Sequence, residues 1–235
     1  MRLLRWLLII VGVIAVAYGA FAVWFNFIRD DAEDPFTLDA TTTTVADAET
    51  ETAETTTTVS SSSELDGTWT VTEGSEAGYR AQEILLGQDG EATGRTTSVS
   101  GEMTIEGTSV QVATITVDMA SIESSESRRD DQFRGRIMDV ASFPTSTFVL
   151  TTPIELEPLP AVGEERTVAA TGDLTLRGTT MPVTIDIQAR RNAENIEIAG
   201  NTEIVFDAWS IPEPSGGPAQ VGDVGTLEFH LFFVR

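Results

Sequence analysis

The stretch VTIDIQA, residues 183–189, shows the pattern that decides the fold of this chain. Its apolar side chains, Val183, Ile185 and Ile187, alternate with polar ones. A period of two is typical of a strand that buries one face and exposes the other. The same period recurs over residues 196–206, where Ile and Phe occupy the apolar positions, and over residues 227–233, where Leu and Phe do. The C-terminal part of the chain is therefore predicted to form long amphipathic strands.

Shorter runs with the same period lie upstream. Residues 110–112 and 115–119 alternate in different phases, which predicts a β-bulge between them. Turn-forming sequences separate the runs, at residues 88–90, 106–108 and 177–180. About eight short strands with this spacing predict an all-β domain, either an antiparallel barrel or a sandwich.

One segment, SSESRRDDQFRGRIMDV at residues 124–140, breaks the alternation and is rich in charge. We expect a short helix here, capped by Ser124 or Ser125, with Phe133, Ile137 and Met138 on one face. A single helix between the strands of a barrel is expected to close one end or to pack on a sheet edge.

The composition excludes several classes of function. The 235 residues include 37 Asp and Glu, one His and no Cys, and all 14 cationic residues are Arg, for a net charge of −23. Without thiolates there is no Cys-ligated zinc, iron–sulfur cluster or Cys nucleophile, and without Lys there is no Schiff base. The acidic charge opposes binding to a phosphate backbone. We expect no cofactor, no metal and no nucleic-acid partner.

Residues 1–28 are predicted to be a transmembrane helix that acts as a signal anchor. The uncharged stretch 6–28 has 23 residues, and about 20 suffice to cross a bilayer. Arg2 and Arg5 precede it, which favours a cytoplasmic N-terminus and an extracytoplasmic domain on a single-pass membrane protein. The alternative is a signal peptide cleaved near residues 20–22; the apolar run continues beyond that point, so we favour the anchor.

Two further zones follow the predicted anchor. Residues 29–66 contain 11 acids and runs of Thr and Ser, which predict a disordered linker; a glycosylated stalk is the alternative. Residues 67–235 form the predicted barrel domain, and their 169 residues suffice for one hydrophobic core.

Several motifs occur together in this domain: Arg129-Asp130-x-x-Phe133 with Phe143-Pro144-x-x-x-Phe148, Gly172-Asp173-Leu174-Thr175-Leu176-x-Gly178 with Pro182-Val183, and Trp69, Gly94, Gly101 and 221–223. With these motifs the domain resembles the YceI-like family of lipid-binding proteins. The resemblance implies a lipocalin-like, eight-stranded antiparallel barrel that binds a polyisoprenoid, an isoprenoid quinone or a fatty-acid derivative. The alternative function is a structural or interaction domain of the cell envelope, with a filled barrel. The sequence yields no prediction of the oligomeric state.

Inward aromatic and Met side chains suit a flexible apolar ligand because they offer large, adaptable contact surfaces. The candidates are Trp69, Tyr79, Met103, Met119, Phe133, Met138, Phe148, Phe206, Trp209 and Phe229. The alternative for each is that it merely fills the core.

Arg128, Arg129 and Asp130 are candidates for contacting a polar head group at the barrel rim. For Arg129 and Asp130 we favour an ion-pair network that attaches the helix to the barrel. Catalysis is not expected. Asp130 and Asp131 are adjacent and would not share a helix face, and His230 lies on the polar phase of its strand and is expected to face solvent.

Overall fold

The computed structural model describes residue 6 and residues 10–20, 32–38, 64–216 and 219–235, in two compact units, Met1–Glu33 and Asp34–Arg235. Residues 10–20 are helical. Within the described part of the chain, no helix has the length and apolarity needed to span a membrane. Residues 1–5, 7–9 and 21–28 of the predicted anchor, and residues 29–31 and 39–63 of the predicted linker, lie outside the described residues.

The second unit is a barrel, and its described residues contain twelve strands in one antiparallel sheet. Eight of the strands follow one another around a closed ring, in the order β1-β4-β5-β6-β8-β9-β10-β12 and back to β1. The strands are β1 (Gly67–Val71), β2 (Glu76–Leu85), β3 (Gln88–Thr96), β4 (Val99–Glu106), β5 (Ser109–Asp118), β6 (Thr145–Leu150), β7 (Ile154–Glu155), β8 (Glu165–Leu176), β9 (Thr179–Arg191), β10 (Ile196–Val205), β11 (Ala219–Val221) and β12 (Val224–Val234).

The ring closes through two pairings on the same edge of β12. At its C-terminal end Val234 pairs with Thr70 of β1, and nearer its start residues 226–230 pair with β2. The β2–β3 hairpin thus extends the wall where β1 stops. The prediction of an eight-stranded antiparallel barrel is confirmed.

The turns and the bulge agree only in part with those predicted from the sequence. The turn of the β8–β9 hairpin is Arg177-Gly178, within the predicted 177–180, and both residues have positive φ. The predicted turn at residues 88–90 is wrong, because the β2–β3 turn is Leu86-Gly87 and β3 begins at Gln88. The predicted bulge between residues 112 and 115 is wrong in position: β5 pairs continuously with β4 there, and its register shifts at Gln111 instead.

The inserted helix comprises an α-helical turn, Ser127–Gln132, continued by a π-helical turn, Phe133–Ile137. The expected caps are wrong: Glu126 occupies the N-cap, and Ser124 instead donates from its backbone N and from Oγ to Oδ1 of Asp130, at 2.9 and 2.7 Å. Asp130 is buried, and its carboxylate holds the segment that precedes the helix in place.

Two clusters of buried apolar residues lie in the barrel, one towards each end. The loop-end cluster includes Trp69, Ile105, Leu231 and Phe233, next to the segment 64–66 and the loop 156–164. The helix-end cluster joins the inserted helix to the strand ends and contains Met119, Ile122, Phe133, Met138, Val140, Leu174, Leu176, Ile204, Trp209 and Ile211. The helix therefore closes one end of the barrel.

The expectation that His230 faces solvent is wrong. Its side chain is on the outer face of β12, as the alternation requires, but it is only 13% exposed and lies 2.8 Å from Oε1 of Glu197. Glu197 also accepts from Arg190, and both side chains are nearly inaccessible. The rings of Phe36 and Phe232 lie against the imidazole, with centroids at 6.0 and 4.7 Å. Phe36 and Phe232 thus cover a side chain that the sequence pattern predicted to face solvent.

Candidate functional site

The barrel encloses a cavity of about 160 Å³. It begins at the loop end, where Leu65, Leu156 and Arg166 line it, and reaches Leu174 in the direction of the helix. Arg166 and Leu174 are eight residues apart on β8, or about 26 Å along a strand. The cavity is therefore long and narrow. Because its lining is almost entirely apolar, it suits an apolar chain.

Two glycines keep the middle of the cavity open by letting aromatic rings lie flat against the wall. A Cβ atom at Gly172 would be 2.5 Å from Cζ of Phe148, and one at Gly200 would be 2.7 Å from Cζ of Phe229. Both distances are too short for a side chain, so only glycine permits these ring positions. The rings line the lumen instead of crossing it.

The helix end is closed. The rings of Tyr79 and Phe133 stack with centroids 5.1 Å apart and an interplanar angle of 11°. Burial raises the pKa of the Tyr79 hydroxyl to about 12, with a smaller opposing effect from Arg129. None of the residues of the inserted helix, all of which are described, lines the cavity. Access from this end would require the helix to move.

The loop end is covered by the segment 64–66 and by loop 156–164. Leu65 is held in place by Trp69, whose Nε1 donates to the Leu65 carbonyl at 2.9 Å. Across the opening, loop 156–164 contributes Leu156 and Pro160, both half-buried. Within this loop the backbone N of Glu164 donates to the Ala161 carbonyl, and Ala161 N donates to the Glu164 carboxylate. The hydrogen bonds from Ala161 N and from Arg166 hold the pKa of Glu164 below its ordinary value.

A family model described as the YceI-like domain matches residues 36–233. The chain belongs to the YceI-like family.

Two solved structures share the YceI-like barrel of this chain. A polyisoprenoid binding domain from Saccharophagus degradans superposes with a TM-score of 0.59 at 17% identity, over 71% of this chain and 98% of that one. BcnA from Burkholderia cenocepacia superposes with a TM-score of 0.50 at 22% identity, over 66% of this chain and 95% of its own. At these identities the likeness shows the fold alone. No curated protein is significantly similar in sequence.

The predicted ligand-contact residues lie in two different parts of the YceI-like barrel. Met103, Phe148 and Phe229 line the cavity, and Trp69 packs in the loop-end cluster next to it. The other six belong to the helix-end cluster or pack against it: Tyr79, Met119, Phe133, Met138, Phe206 and Trp209.

The predicted head-group residues lie outside the cavity. Arg128 is exposed on the inserted helix. Arg129 forms an ion pair with Glu83 of β2, at 3.3 Å, and Asp130 bonds to Ser124. The Arg129–Glu83 pair attaches the helix to the barrel, at the end opposite to loop 156–164, whereas the bonds of Asp130 hold the helix to the segment that precedes it.

Sequence reasoning missed two arginines among the residues that line the loop end of the cavity, Arg166 and Arg191. A signal was present. The inward phase 183–189, continued by one step, reaches Arg191, and the phase of Leu174 on β8, continued backwards, reaches Arg166. In the described part of the chain, no group of three or more His, Asp or Glu side chains is placed to hold a metal ion.

Proposed function

We propose that the barrel binds the apolar chain of an amphiphilic lipid in its interior cavity, and does so without catalysing a reaction. The observation that carries this proposal is the long, apolar cavity. A purely structural domain would be expected to have a filled interior, because an empty apolar cavity loses the van der Waals contacts that close packing provides. The described lining residues include no His, Asp or Glu, which supports binding rather than acid–base chemistry.

The size of the cavity limits how much of a ligand it holds. At about 10–15 Å³ per water-sized group, 160 Å³ corresponds to roughly ten such groups. Ten buried methylenes contribute about 8 kcal/mol before the cost of association is subtracted. A polyisoprenoid, an isoprenoid quinone or a fatty-acid derivative all meet this requirement. The longer ones would have to extend past the loop end or widen the barrel.

We place the barrel outside the cytoplasm, tethered to the membrane through residues 6–28. The uncharged length of that stretch and the arginines before it support this location. Membrane fractionation, and protease treatment of intact cells, test it. Recovery of the full-length chain in the soluble fraction, or protection of residues 67–235 from external protease, would contradict it.

Extraction of the purified full chain with organic solvent, followed by mass spectrometry, tests the binding proposal. We expect a lipid to co-purify, or a ten-carbon apolar probe to bind stoichiometrically. The absence of both would contradict the proposal and favour the structural alternative.

A further inference from the structure

Two of the residues that line the cavity at its loop end are arginines, Arg166 and Arg191. Arg166 of β8 is paired with Ala189 of β9, so Arg166 and Arg191 are diagonal neighbours on the inner face of the barrel. Cβ atoms in this relation lie roughly 7–8 Å apart. Two long guanidinium side chains at that separation can converge on one small anionic group.

The carboxylates that pair with these two arginines are exposed, and one guanidinium has a nitrogen with no hydrogen-bond partner among the described residues. Arg166 donates to Glu164 at 2.8 Å and to the carbonyls of Leu156 and Pro158, and its Nη2 has no hydrogen-bond partner among the described residues. Arg191 pairs with Glu64 at 2.7 Å and donates to the Pro160 carbonyl at 3.5 Å. The side chains of Glu164 and Glu64 are 40% and 61% exposed. Ion pairs this exposed are weak, so a ligand can replace these carboxylates.

The third arginine of the lining, Arg190, differs from these two. It lies on the outward phase of β9, and its guanidinium is 2.5 Å from Oε2 of Glu197, with both side chains buried. Its charge is therefore committed to a buried pair. Only Arg166 and Arg191, among the described lining residues, can offer charged donors to a molecule inside the barrel.

We propose that Arg166 and Arg191 bind the anionic end of the ligand, a carboxylate or a phosphate, while its apolar chain runs towards the helix end. This rests on the proposed binding function and specifies its ligand class and orientation. Loop 156–164 then covers the head group, because its carbonyl oxygens already bond to the same two guanidiniums. Bidentate geometry favours carboxylate and phosphate over an alcohol, which offers one oxygen.

Calorimetric titration of the full chain at neutral pH with three ten-carbon probes tests this proposal. The probes are decanoate, decyl phosphate and decan-1-ol, which share a chain and differ at the polar end. We expect at least one of the two anions to bind about tenfold more tightly than the alcohol; whichever anion is preferred identifies the head group as a carboxylate or a phosphate. In Arg166→Gln/Arg191→Gln this preference should fall to less than about threefold, with alcohol binding retained.

Arg128→Gln is the matched control, because it removes a cation at the opposite end of the barrel. It should retain the preference for the anion. Arg191→Gln alone covers the possibility that the double variant does not fold, since its partner Glu64 is exposed, and it should lose part of the preference. Equal binding of anion and alcohol by the wild type, survival of the preference in the double variant, or its loss in Arg128→Gln would each overturn the proposal. Failure of the wild type to bind any of the probes would instead contradict the binding function itself.

Discussion

Blocking the middle of the cavity with one side chain should abolish ligand binding without unfolding the barrel. Ala170 is the position to change: it lines the cavity, is 5% exposed, and lies four residues from both Arg166 and Leu174 on β8. Ala170→Phe places six ring carbons in a cavity that holds on the order of ten water-sized groups. The neighbouring Ala169 is exposed on the outer face, so Ala169→Phe is a matched control.

The expected size of the effect follows from the displaced chain. At about 0.8 kcal/mol per methylene, excluding six groups weakens the binding of a ten-carbon probe by about 5 kcal/mol, or more than a thousandfold. The free energy of unfolding should fall by no more than about 1 kcal/mol, because the ring enters existing space and gains apolar contacts there.

Displacement of a fluorescent apolar probe, N-phenyl-1-naphthylamine, by decan-1-ol measures the binding, and urea denaturation measures the stability. Ala169→Phe should bind like the wild type. If Ala170→Phe remains folded and binds decan-1-ol with unchanged affinity, the cavity is not the binding site and the reasoning is refuted. Equal losses in both variants would point to a non-specific effect of the added ring.

Two further substitutions test the helix end and the buried ion pair. Phe133→Ala removes the ring that stacks on Tyr79 and should lower the free energy of unfolding by about 3–5 kcal/mol, while the affinity for decan-1-ol changes less than about threefold, because Phe133 does not line the cavity. A large loss of affinity in this variant, measured in the same displacement assay, would place the ligand at the helix end. Burial tends to raise the pKa of Glu197, but hydrogen bonds from His230 and Arg190 outweigh burial and hold it below its ordinary 4.5. A carboxyl with a lowered folded-state pKa stabilises the fold above the unfolded-state value, and this stabilisation is lost as the pH falls through the folded-state value. Glu197→Gln should therefore cost roughly 3 kcal/mol at neutral pH and show a shallower loss of stability in acid than the wild type. Urea denaturation at neutral pH and below pH 4.5 compares the two proteins, and parallel pH profiles would be inconsistent with this role of Glu197.

The sequence predicted the antiparallel strands and the helix because both follow from local periodicity. The alternation of Val183, Ile185 and Ile187 needs only the geometry of a strand to place these side chains on one face. The alternation did not show which of the inward side chains line the cavity and which are packed against other side chains. Phe133 and Phe148 share apolar character, yet the first lies in the inserted helix at the closed end and the second lines the cavity. Their roles differ because other strands and the helix lie opposite them.

Local sequence thus determined the strand pattern, the inserted segment and the family resemblance, all of which depend on residues close together along the chain. Only the tertiary structure decided where the cavity lies, which end is closed, and that Arg166 and Arg191 lie next to each other at its loop end. Those features depend on the register between β8 and β9 and on loop 156–164 crossing the barrel. The same holds for His230, whose outward phase was predicted correctly but whose partners include Glu197 and Phe36, both distant in sequence. Periodicity specifies the direction of a side chain, whereas what lies opposite it depends on contacts between distant parts of the chain.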